Sequence, residues 1–157
     1  MINSYGYFGL PLFGVFIVMV HYFRYNKEVY TGINDVIKQI HNPVEKLSYI
    51  GASNNLTNTI ATHFFGGSVG REGVAVTIAA ALADQFNSLI KFSTLERKVL
   101  LIAAVSAGFG SVFGTPLAGA VFAVEFIKLG KLRYKALLPA LLCGFIADYT
   151  TTNLGIQ

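Results

Sequence analysis

Gly66-Gly67-Ser68-Val69-Gly70-Arg71-Glu72-Gly73 places an arginine and a glutamate side by side in a glycine-rich turn, with apolar or small residues flanking it on both sides. A charged side chain at the centre of a bilayer costs roughly +2.5 to +3.5 kcal/mol on insertion scales. If the flanks are membrane-embedded, the pair faces protein, water or an ion. The flanks decide that question. From Leu47 to Ile90 only Arg71, Glu72 and Asp84 are charged, and about 44 residues at 1.5 Å each make about 66 Å of helix. That length fits two crossings or re-entrant passes, with the glycine turn between them.

The rest of the chain has the same character. Hydrophobic residues make up 54% of the 157 and charged residues 13%, well below the charged share of about 25% in soluble domains, and the mean hydropathy is +0.56. A first apolar run, Tyr7 to Val20, ends at Arg24 and Lys27. It is a candidate span and a poor secretory signal, since no Lys or Arg precedes it and no small-residue cleavage site follows. Arg24 to Lys46 reads as a polar loop with a short helix.

A third block, Val99 to Ile127, is interrupted by Gly108-Phe109-Gly110-Ser111-Val112-Phe113-Gly114-Thr115-Pro116, which predicts two short helices meeting at a break. A fourth, Ala136 to Ile146, follows the basic cluster Lys128, Lys131, Arg133 and Lys135 and begins a further span. The polar segments Arg24–Lys46, Lys91–Lys98 and Lys128–Lys135 are all basic. The positive-inside rule assigns all three to the cytoplasm, which requires double passes through the second and third blocks. The expected fold class is all-α, a multi-pass protein of the cell membrane with broken and re-entrant helices. Irregular backbone at membrane depth is tolerated where it is buried in protein or lines a cavity, so the topology is that of a transporter or channel.

Several other classes are excluded or weakened. The net charge of +4 is small and dispersed, unlike the basic stripe of a nucleic-acid binder. Cys143 is the lone cysteine, and His21, His41 and His63 have no partner at helical spacing, so neither a disulfide nor a metal site is expected. No Gly-Lys-Ser/Thr follows the glycines, so they form no nucleotide loop. Gly66 and Gly70 have the spacing of a helix-dimerisation face, although close backbone approach at the turn explains them equally well. An intramembrane enzyme using Glu72 or Glu125 lacks a second catalytic group at plausible spacing. No enzyme activity and no cofactor are expected.

A helix that begins in the alanine-rich stretch Val74 to Ala83 would aim its N-terminus at the turn, and such termini attract anions. One terminus contributes about 0.3–1 kcal/mol, up to about 2 when partly buried, so several must converge to replace a halide's hydration shell. Broken-helix transporters build their midplane sites that way. Glu72, at the mouth of this helix, is an anion mimic that can enter the site when ionised and leave when protonated. The bland alternative is a buried ion pair with Arg71.

These residues resemble the CLC family of chloride channels and proton-coupled anion antiporters. Gly70-Arg71-Glu72-Gly73 is similar to the family's Gly-Arg-Glu-Gly signature, and Ala107-Gly108-Phe109-Gly110-Ser111-Val112-Phe113-Gly114-Thr115-Pro116-Leu117-Ala118-Gly119 to its next block, with Val121-Phe122-Ala123-Val124-Glu125 beyond. The resemblance implies that residues 1–157 are about the first inverted repeat, the N-terminal half of a CLC subunit, with no soluble domain. It implies Glu72 as the gating and proton-coupling group. Gly70, Arg71, Gly73, Val74 and Ile33 would then be anion-binding, and Gly66, Gly67, Gly114 and Pro116 would be structural helix breaks. The partners implied are a halide anion, a proton, the lipid bilayer and, in the complete protein, a second identical subunit.

Three departures narrow the resemblance. Phe126 follows Glu125 where chloride/proton exchangers carry an internal proton-transferring glutamate; Gly32-Ile33-Asn34-Asp35 stands in place of the central Gly-Ser-Gly-Ile-Pro segment; Val74 replaces the proline that usually follows Gly-Arg-Glu-Gly. All three lean towards the bacterial fluoride-exporting branch, which Asn54-Asn55 and Thr62-His63-Phe64-Phe65-Gly66-Gly67 also resemble. The expected function is anion transport, fluoride export coupled to protons through Glu72. The alternatives are a chloride-channel-type member, or a non-conducting fragment that needs the family's second half.

Overall fold

The computed structural model describes residues 6–24, 31–125 and 134–155, and among them it holds seven α-helices and no strand. They are α1 (Gly6–Arg24), α2 (Ile33–His41), α3 (Tyr49–Phe64), α4 (Glu72–Ile90), α5 (Thr94–Phe113), α6 (Pro116–Glu125) and α7 (Tyr134–Asn153). The all-α expectation and the pairing of helices within the second and third apolar blocks both hold. α5 is the centre of the bundle, packed against α4, α6, α7 and α2, with α3 against α4 and α1 against α3.

Each boundary has a local cause. Ser48 caps α3 by accepting from the Gly51 N–H at 3.1 Å. Ser93 and Glu96 form a reciprocal capping box at α5, a standard way to satisfy the first unpaired amides of a helix. α3 ends where Gly66 takes φ +79° and the Gly67 N–H donates to Thr62 O at 2.8 Å. A Cβ on Gly67 would lie 2.6 Å from Thr62 Cγ2, so this break needs glycine at both positions. α5 ends at Gly114, φ +63°, and Pro116 opens α6, the position where a missing N–H is harmless.

The break in the third block is narrower than its sequence suggests. Gly108 and Gly110 lie inside α5, and close packing explains them. A Cβ on Gly108 would meet Ala75 O at 2.9 Å and Val76 Cα at 3.0 Å, while one on Gly119 would meet Ser106 O at 2.9 Å. The last helix is also longer than the predicted Ala136–Ile146 run and contains Pro139. Gly66 and Gly70 both lie outside helices, which removes the helix-dimerisation reading.

Hydrogen bonds fix the direction of the passes. The Leu47 N–H donates to Asp84 Oδ2 at 2.8 Å, and Gln85 Nε2 donates to Leu47 O at 3.3 Å. The start of α3 therefore lies beside the C-terminal half of α4, and the two form an antiparallel hairpin with the Gly66–Arg71 turn at its far end. Lys98 Nζ donates to His41 O at 2.8 Å, which brings the start of α5 to the same end as the α2–α3 connector.

Packing is inverted relative to a water-soluble bundle. The buried cluster is rich in alanine, with Ala52, Ala80, Ala81, Ala120, Ala123, Ala136 and Ala140 joined by Val36, Ile40, Leu101, Ile102 and Val105. Many large side chains point outward: Phe64 is 79% exposed and Leu89 78%. Small residues at helix interfaces permit the close backbone approach on which membrane bundles depend. Among the described residues α4 is long and apolar enough to cross a bilayer by itself, and α6 is apolar but only ten residues long.

Candidate functional site

α4 begins at Glu72, with Arg71 in helical geometry as its N-cap, φ −83° and ψ −24°. Its first intrahelical bond runs from the Ala75 N–H to Arg71 O at 3.0 Å. The amides of Glu72, Gly73 and Val74 precede that bond and are the terminus's unpaired donors. Glu72 is exposed, and its carboxylate folds back over the turn: a Cβ on Gly70 would fall 2.9 Å from Glu72 Oε2. Glycine at position 70 leaves room for the carboxylate in that pose.

Arg71 is exposed as well. The ion pair among the described residues joins Arg97 and Asp84, so the pairing of Glu72 with Arg71 weighed from sequence is not what the structure holds. Arg71 instead lines an open, largely apolar groove of about 920 Å³ with His63, Phe64, Val74 and Ser111. His63 Nδ1 lies 2.8 Å from Thr59 O, which makes it the donor nitrogen and leaves Nε2 for other contacts. Gly70, Arg71, Glu72, Gly73 and Val74 are thus gathered at one helix terminus.

Ile33 is not among them. It opens α2, half-buried against the core, and is absent from the lining of the groove beside α4. The α2 terminus carries its own carboxylate, since the Gly32 N–H donates to Asp35 Oδ2 at 2.8 Å. Phe126, with Lys128, Lys131 and Arg133, lies outside the described residues.

Two polar features escaped the sequence reading. Asp84 and Arg97, which are 0% and 6% exposed, form a bidentate pair, Nε to Oδ1 at 2.7 Å and Nη2 to Oδ2 at 2.8 Å. A carboxylate inside an alanine-rich helix followed by an arginine after the next turn was the available signal. Arg97 is therefore a buried partner, and the positive-inside argument at 91–98 rests on Lys91 and Lys98. The second feature is Asn54, whose amide nitrogen is buried without a partner among the described residues.

The site is thus an exposed carboxylate beside unpaired amides at a helix terminus of a broken-helix bundle. Residues 13–156 match the model of the voltage gated chloride channel family. The chain belongs to that family, whose members are embedded in membranes. It is 42% identical over 147 residues to a chloride/fluoride channel protein of Pseudomonas syringae pv. tomato, covering 94% of this chain and 32% of the relative. To a voltage-gated ClC-type chloride channel, ClcB, of Salmonella typhimurium it is 34% identical over 87 residues, covering 55% of this chain and 20% of the relative. The crystal structure of a CLC-type fluoride/proton antiporter superposes with a TM-score of 0.83 at 32% identity, over 94% of this chain and 37% of that one. The chain spans about a third of the length of these two longest matches.

Proposed function

We propose that these residues form part of a proton-coupled halide transporter of the cell membrane, with fluoride preferred to chloride and Glu72 as the gate. The observation that carries this reading is the Glu72 carboxylate folded over Gly70 at the α4 terminus. When ionised it competes with an anion for the amides of Glu72, Gly73 and Val74; when protonated it loses that attraction and swings away. Proton uptake by Glu72 thereby admits an anion and proton release expels it, which is coupling by mutual exclusion of the carboxylate and the anion. Bond-making chemistry plays no part. The fluoride preference draws on the Pseudomonas and antiporter relatives and on the apolar Ile33. Residues 1–157 correspond on this reading to about the first inverted repeat, and the complete protein is a homodimer.

The inverted packing supports a multi-pass membrane location. Exposed Leu56, Ile60 and Phe64 on α3 and Leu138, Leu142, Phe145 and Ile146 on α7 would be an aggregation liability in water. Against lipid or further transmembrane helices they are matched. The connectors at 42–48 and 91–93 share one end of the bundle, with exposed Lys38, Lys46 and Lys91 nearby, and that end is assigned to the cytoplasm.

The test is anion efflux from proteoliposomes containing the full-length gene product, with and without a proton gradient. Glu72→Gln, a mimic of the protonated carboxyl, should abolish proton coupling and leave passive or occluded behaviour. Unchanged coupled transport in that variant would remove Glu72 from the mechanism. Chloride efflux as fast as fluoride efflux in the unmutated protein would favour the chloride-channel relatives.

A further inference from the structure

The four backbone polar groups of Glu45 and Leu47, in the connector between α2 and α3, are all held by side chains from the surrounding helices. The Glu45 N–H donates to Gln39 Oε1 of α2 at 3.1 Å, and Glu45 O accepts from Arg97 Nη2 of α5 at 2.6 Å. The Leu47 N–H donates to Asp84 Oδ2 of α4 at 2.8 Å, and Leu47 O accepts from Gln85 Nε2 at 3.3 Å. One residue on, Ser48 O accepts from Thr31 Oγ1 at 3.0 Å. Thr31 is buried and stands two positions before Ile33, so the hydrogen-bond chain runs from the Asp84–Arg97 pair through the connector to the start of α2.

We propose that Asp84 and Arg97 are positioning residues: the pair clamps the 45–48 backbone, and through Thr31 it sets where the α2 terminus and Ile33 stand relative to α4. The bonding pattern argues for positioning over stability alone. An ion pair kept only for stability could be replaced by apolar residues of similar size at little or no loss. This pair instead directs two of its hydrogen bonds at backbone that no helix or sheet satisfies. The selectivity consequence rests on the proposed transport function; the clamp itself does not.

Three proteins separate the possibilities, all made as the full-length gene product. In Asp84→Leu/Arg97→Met both charges go together, so the bundle folds while the connector loses its clamp. Amide exchange across residues 42–48, read by mass spectrometry, should accelerate about tenfold or more as that segment opens locally. The ratio of fluoride to chloride efflux should fall about fivefold, the order expected for losing one hydrogen bond's net contribution. Thr31→Val cuts only the last link, so it should lower the ratio similarly while the Glu45 and Leu47 amides stay protected. Unchanged exchange in the double variant would overturn the clamp. Accelerated exchange with an unaltered ratio, or a Thr31→Val protein with the unmutated ratio, would overturn its link to Ile33. If the unmutated protein moves neither halide, the transport proposal fails, and the exchange measurement still decides the clamp.

Discussion

Replacing Gly108 with alanine tests whether α4, the helix that carries Glu72, is held in place by backbone contact. The new Cβ would meet Ala75 O at 2.9 Å, Val76 Cα at 3.0 Å and Ala75 C at 3.1 Å. All three are backbone atoms of α4, and none can rotate away as a side-chain tip would. One of the two helices must shift by several tenths of an ångström to restore ordinary contact. Overpacking a tight interior costs typically about 1–3 kcal/mol, and a purely backbone clash belongs in the upper half of that range. The helix-propensity gain of alanine over glycine, about 0.5–1 kcal/mol, offsets part of it. The expected net loss is about 1–2.5 kcal/mol, read as a lower unfolding midpoint in detergent by far-UV circular dichroism. Gly73→Ala is the control, because nothing lies within 4 Å of its added Cβ, and it should be neutral or mildly stabilising. A Gly108→Ala protein as stable as the unmutated one, or a loss equal to that of Gly73→Ala, would refute the argument that α4 and α5 meet backbone to backbone.

Asp84→Leu alone leaves Arg97 buried and unpaired and should cost about 3–5 kcal/mol, whereas Asp84→Leu/Arg97→Met should recover most of that in the same unfolding measurement. In a Cys143→Ala background, cysteines at Lys38 and Lys91 should be shielded from an impermeant thiol reagent in intact cells, while one at Ser68, at the opposite end of the α3–α4 hairpin, should be reached more readily; robust labelling at both lysine positions would sink the double-pass topology. Hydrogen bonds from the Ser93 hydroxyl and then its backbone N–H hold the Glu96 carboxyl below its usual range. A depressed carboxylate stabilises the fold at pH above its ordinary value and loses that contribution as pH falls through the folded-state value. The melting-point gap between Ser93→Ala and the unmutated protein should therefore narrow as the pH falls below the ordinary glutamate range.

What could be read from the chain and what could not divide along a physical line. The breaks at Gly66–Gly67 and Gly114–Pro116 were legible because each combines a positive-φ glycine or a proline with a change of chain direction, and both are local. The position of Glu72 beside the first break was legible for the same reason, as a charge next to a glycine turn. Gly108 was misread because a glycine that ends a helix and a glycine that admits a neighbouring helix look the same in sequence; only the partner, Ala75 in another element, tells them apart. The Asp84–Arg97 pair was missed because its logic is tertiary. Thirteen residues separate the partners across the α4–α5 turn, and no helical spacing joins them.

The two carboxylates of α4 show how one membrane helix can hold one acid fixed and another free. Glu72 and Asp84 are about 18 Å apart along the axis at 1.5 Å per residue. Asp84 is fully buried, accepts from Arg97 twice and from the Leu47 N–H, and any movement would strand a guanidinium in apolar surroundings. Glu72 is exposed, joined by no ion pair among the described residues, and seated where the helix end favours a negative charge by no more than about 2 kcal/mol. A group held that weakly can be displaced by an anion or released by a proton, and a group held by a buried bidentate pair cannot. On the proposed transport function, the buried acid fixes the connector at one end of the helix, and that fixed frame gives the displacement of the Glu72 carboxylate at the other end a defined target.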